Sequence, residues 1–331
     1  MRIRITKSSI LFIISIAFIL LLLIYIGIYE IFQTLISADP MYIILAVILQ
    51  IIVSLMLAMR WRYITKILGY KVSIKNLLLL VLMGQFINNI TPSMKGGGEA
   101  FRAYYLSKLE KIPKGLTFST VVVERVLDTG IFLFFTLFVI GYFVIKGFKY
   151  LEYLILAWVF LFLLTAITIY LIINKKLLIK IVTKASRFIC KYCSYNYDEE
   201  KILKSIDEFY NSMKFLKNRK ASEVFVAVFL SIGWYALDIL KVWLLFLSLS
   251  YIVSIVSVAT VYLITLLSGV LSITPSGFGT ADTIMILSFS AFRISPSVAA
   301  AVTLLDRFVS YIIPTIFGYI SMLIIKKELE K

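Results

Sequence analysis

Apolar residues run without alternation over Ile10–Ile36, Met41–Met59, Phe118–Ile145, Leu151–Ile173, Val224–Leu249 and Val298–Ile325. A hydrocarbon core about 30 Å thick needs about 20 apolar helical residues to cross it. Each run is close to that length or longer, and none has the period of two that marks a strand. The pattern therefore predicts six membrane-crossing helices. Two further apolar stretches, Asn76–Ile90 and Ile255–Ile273, do not finish at a charged loop. They run into breaks rich in proline and glycine, where a helix cannot continue.

Basic residues orient the set. They collect at Arg2, Arg4 and Lys7, over Arg60–Lys75, over Lys95–Lys114, in the loop 174–220 and in the C-terminal "KKELEK". The loop alone holds twelve Lys/Arg against five acids. The positive-inside rule places all of these stretches, and both termini, in the cytoplasm. Segments on both sides of Asn76–Ile90 are then cytoplasmic. The simplest path is a re-entrant hairpin that enters as Asn76–Ile90, breaks at "TPSMKGGG" and returns as Glu99–Leu109. Within the loop, Ile202, Ile206, Phe209, Met213 and Leu216 mark one face of an amphipathic helix. That face either lies on the membrane surface or packs against the rest of the protein.

The break recurs. Residues 90–101 read "ITPSMKGGGEAF" and residues 273–284 read "ITPSGFGTADTI", an offset of 183 without a gap. Downstream, "TVVVERVLD" carries Glu124–Arg125 and "AVTLLDRFV" carries Asp306–Arg307, at an offset of 182. The repeated unit is a span, a broken hairpin and a span with an acid–Arg pair. The first copy covers 41–145 and the second 222–325, within a single polytopic domain over 1–331. The loop charges give the two copies opposite orientations, the signature of an inverted-topology repeat.

Composition narrows the chemistry. The chain is 61% hydrophobic, 16% charged and +16 in net charge, with a mean hydropathy of +0.98. Its basic residues lie between apolar runs and form no basic domain, which argues against nucleic acid. There is no histidine. Cys190 and Cys193 lack the further soft ligands that a metal site needs, and they read as free thiols in a cytoplasmic loop. No cofactor, metal site or catalytic residue is expected, and no nucleophile–base pair stands out; the chain reads as a transporter, not an enzyme.

"TPSMKGGGEAFR", "ERVLD" and "TPSGFGTAD" resemble the flippase-like family also described as the lysylphosphatidylglycerol synthase transmembrane region, over about residues 10–325. The family's run of proline, paired glycines, glutamate and arginine is matched by Pro92, Gly97, Gly98, Glu99 and Arg102. The resemblance implies movement of anionic lipids or lipid-linked precursors between leaflets, and a lipid-synthesising enzyme as a partner. It also implies a soluble transferase domain in the aminoacyl-lipid synthases. None is present here, so aminoacylation by this chain alone is not expected. A secondary transporter of small solutes, a membrane-embedded lipid-modifying enzyme and a scaffold subunit are the rival readings.

Unpaired N–H groups and dipole at the two helix restarts suit a phosphate. The candidate substrate-binding residues are Pro92, Lys95, Gly96, Gly97, Gly98 and Arg102 in the first break. Pro275, Gly277 and Gly279 are those of the second, with Arg125 and Arg307 from the spans. Glu99 and Asp282 either stabilise the helix starts or couple transport. An ionisable residue inside a span costs about 2.5–3.5 kcal/mol on insertion scales and is a functional candidate by default. Glu124, Asp128, Asp238, Lys241 and Asp306 join the coupling or ion-pair set on that ground. Arg125 with Asp128, and Asp238 with Lys241, are three apart and can pair. The acid–Arg motifs are expected to pair between repeats, Glu124 with Arg307 and Arg125 with Asp306.

Overall fold

A computed structural model describes residues 17, 19–91, 97–147, 151–193, 198–217, 221–272 and 274–330. Pro92, Lys95 and Gly96 lie outside them. The described residues are mainly helical, with no strand among them. The helices are α1 (Ile19–Ile26), α2 (Ile28–Ile36), α3 (Pro40–Ile67), α4 (Ile74–Ile90), α5 (Gly97–Leu109), α6 (Lys114–Lys146) and α7 (Leu151–Ile173). Then come α8 (Lys175–Cys193), α9 (Glu199–Lys217), α10 (Ala221–Ser248), α11 (Ile255–Leu271), α12 (Thr280–Ala291), α13 (Pro296–Arg307) and α14 (Ile313–Leu329).

Five of these segments are long and apolar enough to cross a membrane, with α13 and α14 counted as one through the π-helical turn Phe308–Ile312. The pair α1–α2 makes a sixth, bent by 82° at Gly27. The sequence predicts a single unbroken span there. Apolar side chains cover the outside of these helices. In α7, Leu156, Phe160, Leu163 and Ile167 are exposed and only Leu161 is buried. A continuous apolar face of that kind needs lipid. This is a multi-pass membrane protein.

Two stretches of the chain have similar series of helix lengths. The first copy runs 28, 17, 13 and 33 residues in α3 to α6. The second runs 28, 17 and 12 in α10 to α12, then 34 in Pro296–Leu329. The short members fall where the sequence predicts broken hairpins.

The chain divides into two compact units. One comprises 1–59, 74–102 and 230–331; the other comprises 60–73 and 103–229. In the first, α4 packs along α14, and α12 packs against α11 and α13. Its apolar core includes Val242, Phe246, Met285, Phe289 and Val302, with Phe246 and Phe289 edge to face at 4.8 Å.

The second unit is built on α6, which packs against α7 and α9. Of the two settings open to the amphipathic face in 202–216, the structure adopts packing. Ile206 and Phe209 are buried, and α9 comes so close to α6 that a side chain at Gly115 would collide with the Ser205 carbonyl. The rest of that loop is also helix: Cys190 and Cys193 sit in α8. Arg60, which reads as a charge just beyond a span, lies inside α3, which continues to Ile67, and is completely buried.

Candidate functional site

The second break is held by short side chains. Ser272 Oγ lies 2.7 Å from both Thr274 Oγ1 and Thr280 Oγ1. Thr274 Oγ1 donates to the Phe278 carbonyl at 2.9 Å. The turn between α11 and α12 needs left-handed backbone at Ser276 (φ 50°), Gly277 (φ 68°) and Gly279 (φ 82°). Glycine takes up that geometry without strain. For Ser276, a residue with a side chain, it costs about 1–3 kcal/mol, and the surroundings hold it. Ser276 Oγ donates to Asn89 Oδ1 at 3.2 Å.

That contact links the two breaks. Asn89 lies in the last turn of α4, just before the first break. Its Nδ2 donates to Thr315 Oγ1 at 2.8 Å, and its carbonyl accepts the Tyr311 hydroxyl at 2.9 Å. Tyr311 lies in the π-helical turn, a distortion that often marks functional sites.

Arg307 stands beside this junction. Its Nε donates to Asp282 Oδ1, and its Nη1 donates to the Ser276 carbonyl at 3.4 Å. The guanidinium faces the rings of Phe278 and Tyr311 at 5.6 and 5.7 Å, an arrangement in which the ring quadrupoles favour the cation. Asp282 is buried, and its Oδ2 accepts the Gly279 N–H at 2.8 Å. Asp282 thus caps the start of α12 and neutralises Arg307 together, so the helix-start role open in the sequence is present. Thr283 Oγ1 donates to the Gly279 carbonyl at 2.7 Å and closes the first turn.

The first break is built differently. Gly98 N–H donates to Asn88 Oδ1 at 2.8 Å. A Cβ at Gly98 would fall on the Gly84 carbonyl of α4. The free side of Gly98 therefore receives backbone of this chain. Gly97 faces Thr91, whose Oγ1 would lie 2.9 Å from an added Cβ. Glu99 pairs with Arg102, with Arg102 Nε to Glu99 Oε2 at 2.7 Å, and both side chains are largely buried. Glu99 thus serves as an ion-pair partner.

The remaining ionisable residues fall into two groups. In the second unit, Arg60 donates from Nε to Glu124 Oε1 at 3.2 Å and from its Nη groups to both carboxylate oxygens of Asp128. Arg125 also reaches Asp128, at 3.2 Å. In the first unit, Lys241 Nζ lies 2.6 Å from Asp238 Oδ1 and 2.8 Å from Gln50 Oε1. Asp306 accepts the Ser310 hydroxyl at 2.7 Å. The two i,i+3 pairs are as expected. Within its own unit, Glu124 pairs with Arg60, and Arg307 pairs with Asp282. The structure supplies two partners that the sequence reading passes over, because Arg60 resembles a loop charge and Gln50 is neutral. Asn89 is also missed, although two adjacent asparagines at the end of an apolar helix are a legible signal.

The profile of the Lysylphosphatidylglycerol synthase TM region matches residues 12–318. The chain belongs to that family. It is 75% identical to a UPF0104 membrane protein of Methanocaldococcus jannaschii over 331 residues, covering 100% of this chain and 98% of the relative. A UPF0104 membrane protein of Methanothermobacter thermautotrophicus is 30% identical over 92% of this chain and 91% of its own length. Another, from Pyrococcus horikoshii, is 28% identical over 96% and 97%. The match takes in both breaks and all of the charged groups above. In this member of the family, each arginine at a break, Arg102 and Arg307, is matched to a carboxylate three residues into the restarted helix.

Proposed function

We propose that this protein moves an anionic phospholipid or a lipid-linked precursor between leaflets, without altering it chemically. The headgroup phosphate meets Arg307 at the start of α12. The observation that carries the reading is the junction at which Ser276 of one break bonds Asn89 at the edge of the other, with Arg307 beside it. A guanidinium, a helix start and left-handed backbone together recognise phosphate. Asp282 fills the place of the anion when no headgroup is bound, so a phosphate enters by competing for Arg307. The family name, which refers to a lipid synthase, supports a lipid substrate. Two such breaks in repeats of opposite orientation would present the site to each leaflet in turn.

Reconstitution with labelled lipids tests the reading. Arg307→Gln is expected to slow movement of an anionic lipid by roughly 10–100-fold, the worth of a charged hydrogen bond of about 1.5–3 kcal/mol. Arg307→Lys recovers only part, because a point charge replaces a planar fork. Uptake of small solutes with no movement of lipid would favour the rival transporter.

Asp282→Asn gives a second measurement. Loss of a cap alone costs about 1 kcal/mol or less, but this change also leaves Arg307 without its countercharge. The thermal stability loss should exceed that of a cap, and anionic lipid should restore it more than it stabilises the unaltered protein. Equal stabilisation of both proteins would argue against an anion site at Arg307.

Orientation is tested by single cysteines. Lys114 and Ser295 are exposed; cysteine at 114 should label from the cytoplasm and cysteine at 295 from outside. Ser107 is a poor reporter, being buried and bonded to the Ile112 carbonyl at 2.6 Å. Labelling of position 114 from outside would make the first hairpin a full crossing and remove the inverted repeat.

A further inference from the structure

The first unit contains a second polar centre that the headgroup site does not use. Lys241 and Asp238 are three residues apart on α10, with side chains only 3% and 13% exposed. Lys241 Nζ donates to Asp238 Oδ1 and to Gln50 Oε1 of α3. Tyr262 of α11 donates its hydroxyl to Asp238 Oδ2 at 2.7 Å. The place of this centre along its helices can be read from the structure. The Asp39 N–H bonds the Ser248 carbonyl at 2.7 Å, so the start of α3 and the end of α10 meet at one level. Gln50 is eleven residues from Asp39 and Asp238 is ten from Ser248, roughly 15–17 Å at 1.5 Å per residue. That is about half the length of helix that crosses a hydrocarbon core about 30 Å thick.

A buried ion pair about midway along a span is costly, and an apolar pair would often serve stability as well or better. Nor does this pair fasten one helix to another, since both charges sit on α10. The links to α3 and α11 are made through a neutral amide and a phenol. What the pair provides that neutral side chains cannot is a change of charge. Among the described residues, Asp238 bonds the titratable Lys241 on its own helix and Tyr262 on α11, and α3 presents Gln50 to Lys241. Tyr235 on α10 and Asp306 on α13 are within electrostatic reach of the Tyr262 hydroxyl. Asp306 is the residue before Arg307, which ties this centre to the headgroup site.

We infer that Asp238 is the proton-binding residue that couples lipid movement to a pH gradient, with Lys241, Gln50 and Tyr262 as its positioning residues. This rests on the lipid reading above. With Asp238 ionised, Asp238 and Lys241 sum to zero. One proton from the aqueous phase adds to the Asp238 carboxylate, and the centre becomes +1. No bond other than O–H forms, and Lys241 keeps its proton. The added charge offsets the negative charge of one headgroup phosphate inside the same unit, so proton and anion cross together with little net charge in the hydrocarbon.

The test has two arms. Infrared difference spectroscopy of the purified full chain in anionic-lipid nanodiscs, titrated with pH, should reveal a protonated carboxyl band. Asp238→Asn should remove it and Asp282→Asn should leave it. This arm needs no transport and decides proton binding at Asp238 even if no lipid moves; the next decides the coupling. In proteoliposomes carrying labelled anionic lipid, a gradient of about one pH unit is a roughly tenfold driving ratio. It should accelerate the unaltered protein several-fold and leave Asp238→Asn unchanged, with Asp238→Glu restoring the response. If Asp238→Asn fails to fold, Asp238→Asn with Lys241→Gln removes both charges together and should behave as Asp238→Asn does. Absence of a titrating band in the unaltered protein, its persistence without Asp238, or a full gradient response in either variant would overturn the inference.

Discussion

Arg60→Met is expected to be the most destabilising single charge substitution in the second unit. Arg60 is fully buried, between Glu124, which is also fully buried, and Asp128. It donates to both acids. Methionine fills most of the volume but offers neither charge nor donor. Two carboxylates would then share a buried site, with Arg125 reaching Asp128 at 3.2 Å. Removing one partner of a buried ion pair costs about 3–5 kcal/mol, because the other charge stays behind uncompensated. Thermal unfolding in detergent should register a loss of that order. The triple change Arg60→Met, Glu124→Gln, Asp128→Asn should recover a large part of it. If the triple variant is no more stable than Arg60→Met, uncompensated charge is not the cause.

The other large effect is expected at Gly98. Alanine in place of a helical glycine ordinarily stabilises by about 0.5–1 kcal/mol. At Gly98 the sign should reverse. The added Cβ would collide with the Gly84 carbonyl and would lie 2.8 Å from Asn88 Oδ1. The first of these is backbone inside α4 and cannot rotate away as a side chain can. Overpacking typically costs about 1–3 kcal/mol, and more when backbone must move. Gly98→Ala should therefore loosen the start of α5 from α4, lower the unfolding temperature and reduce lipid movement. Gly130 and Gly141 have nothing within 4 Å of an added Cβ, so alanine at either should be neutral or mildly stabilising. Similar stability for Gly98→Ala and Gly141→Ala would contradict the close approach.

Much of this architecture is legible along the chain. The apolar runs give the long helices, because membrane insertion depends on a sum of local transfer free energies that neighbouring helices change little. Proline and glycine give the breaks, because the missing N–H of proline and the freedom of glycine act within one turn. The repeat at offsets 183 and 182 is read from the sequence, and the helices α3 to α6 and α10 to α14 have similar series of lengths. The pairs Arg125–Asp128 and Asp238–Lys241 are local to one helix and are present as read.

Gly27 is less legible. A lone glycine in an apolar run does not disclose an 82° bend, since that depends on what each half packs against. The same holds for α8, whose basic residues read as a loop although its apolar positions recur at helical spacing.

The sequence by itself determined a helical, multi-pass chain with two breaks rich in proline and glycine and a set of charges that must be satisfied away from lipid. Tertiary structure decided which charge meets which. Arg60, inside α3, becomes the partner of Glu124 and Asp128. Arg307 turns to Asp282, and Ser276 reaches Asn89 across 187 residues of sequence. Hydropathy is additive along a helix and can be read one residue at a time. The choice of an ion-pair partner depends on which helix faces meet and at what depth, and residues far apart in the chain fix that together.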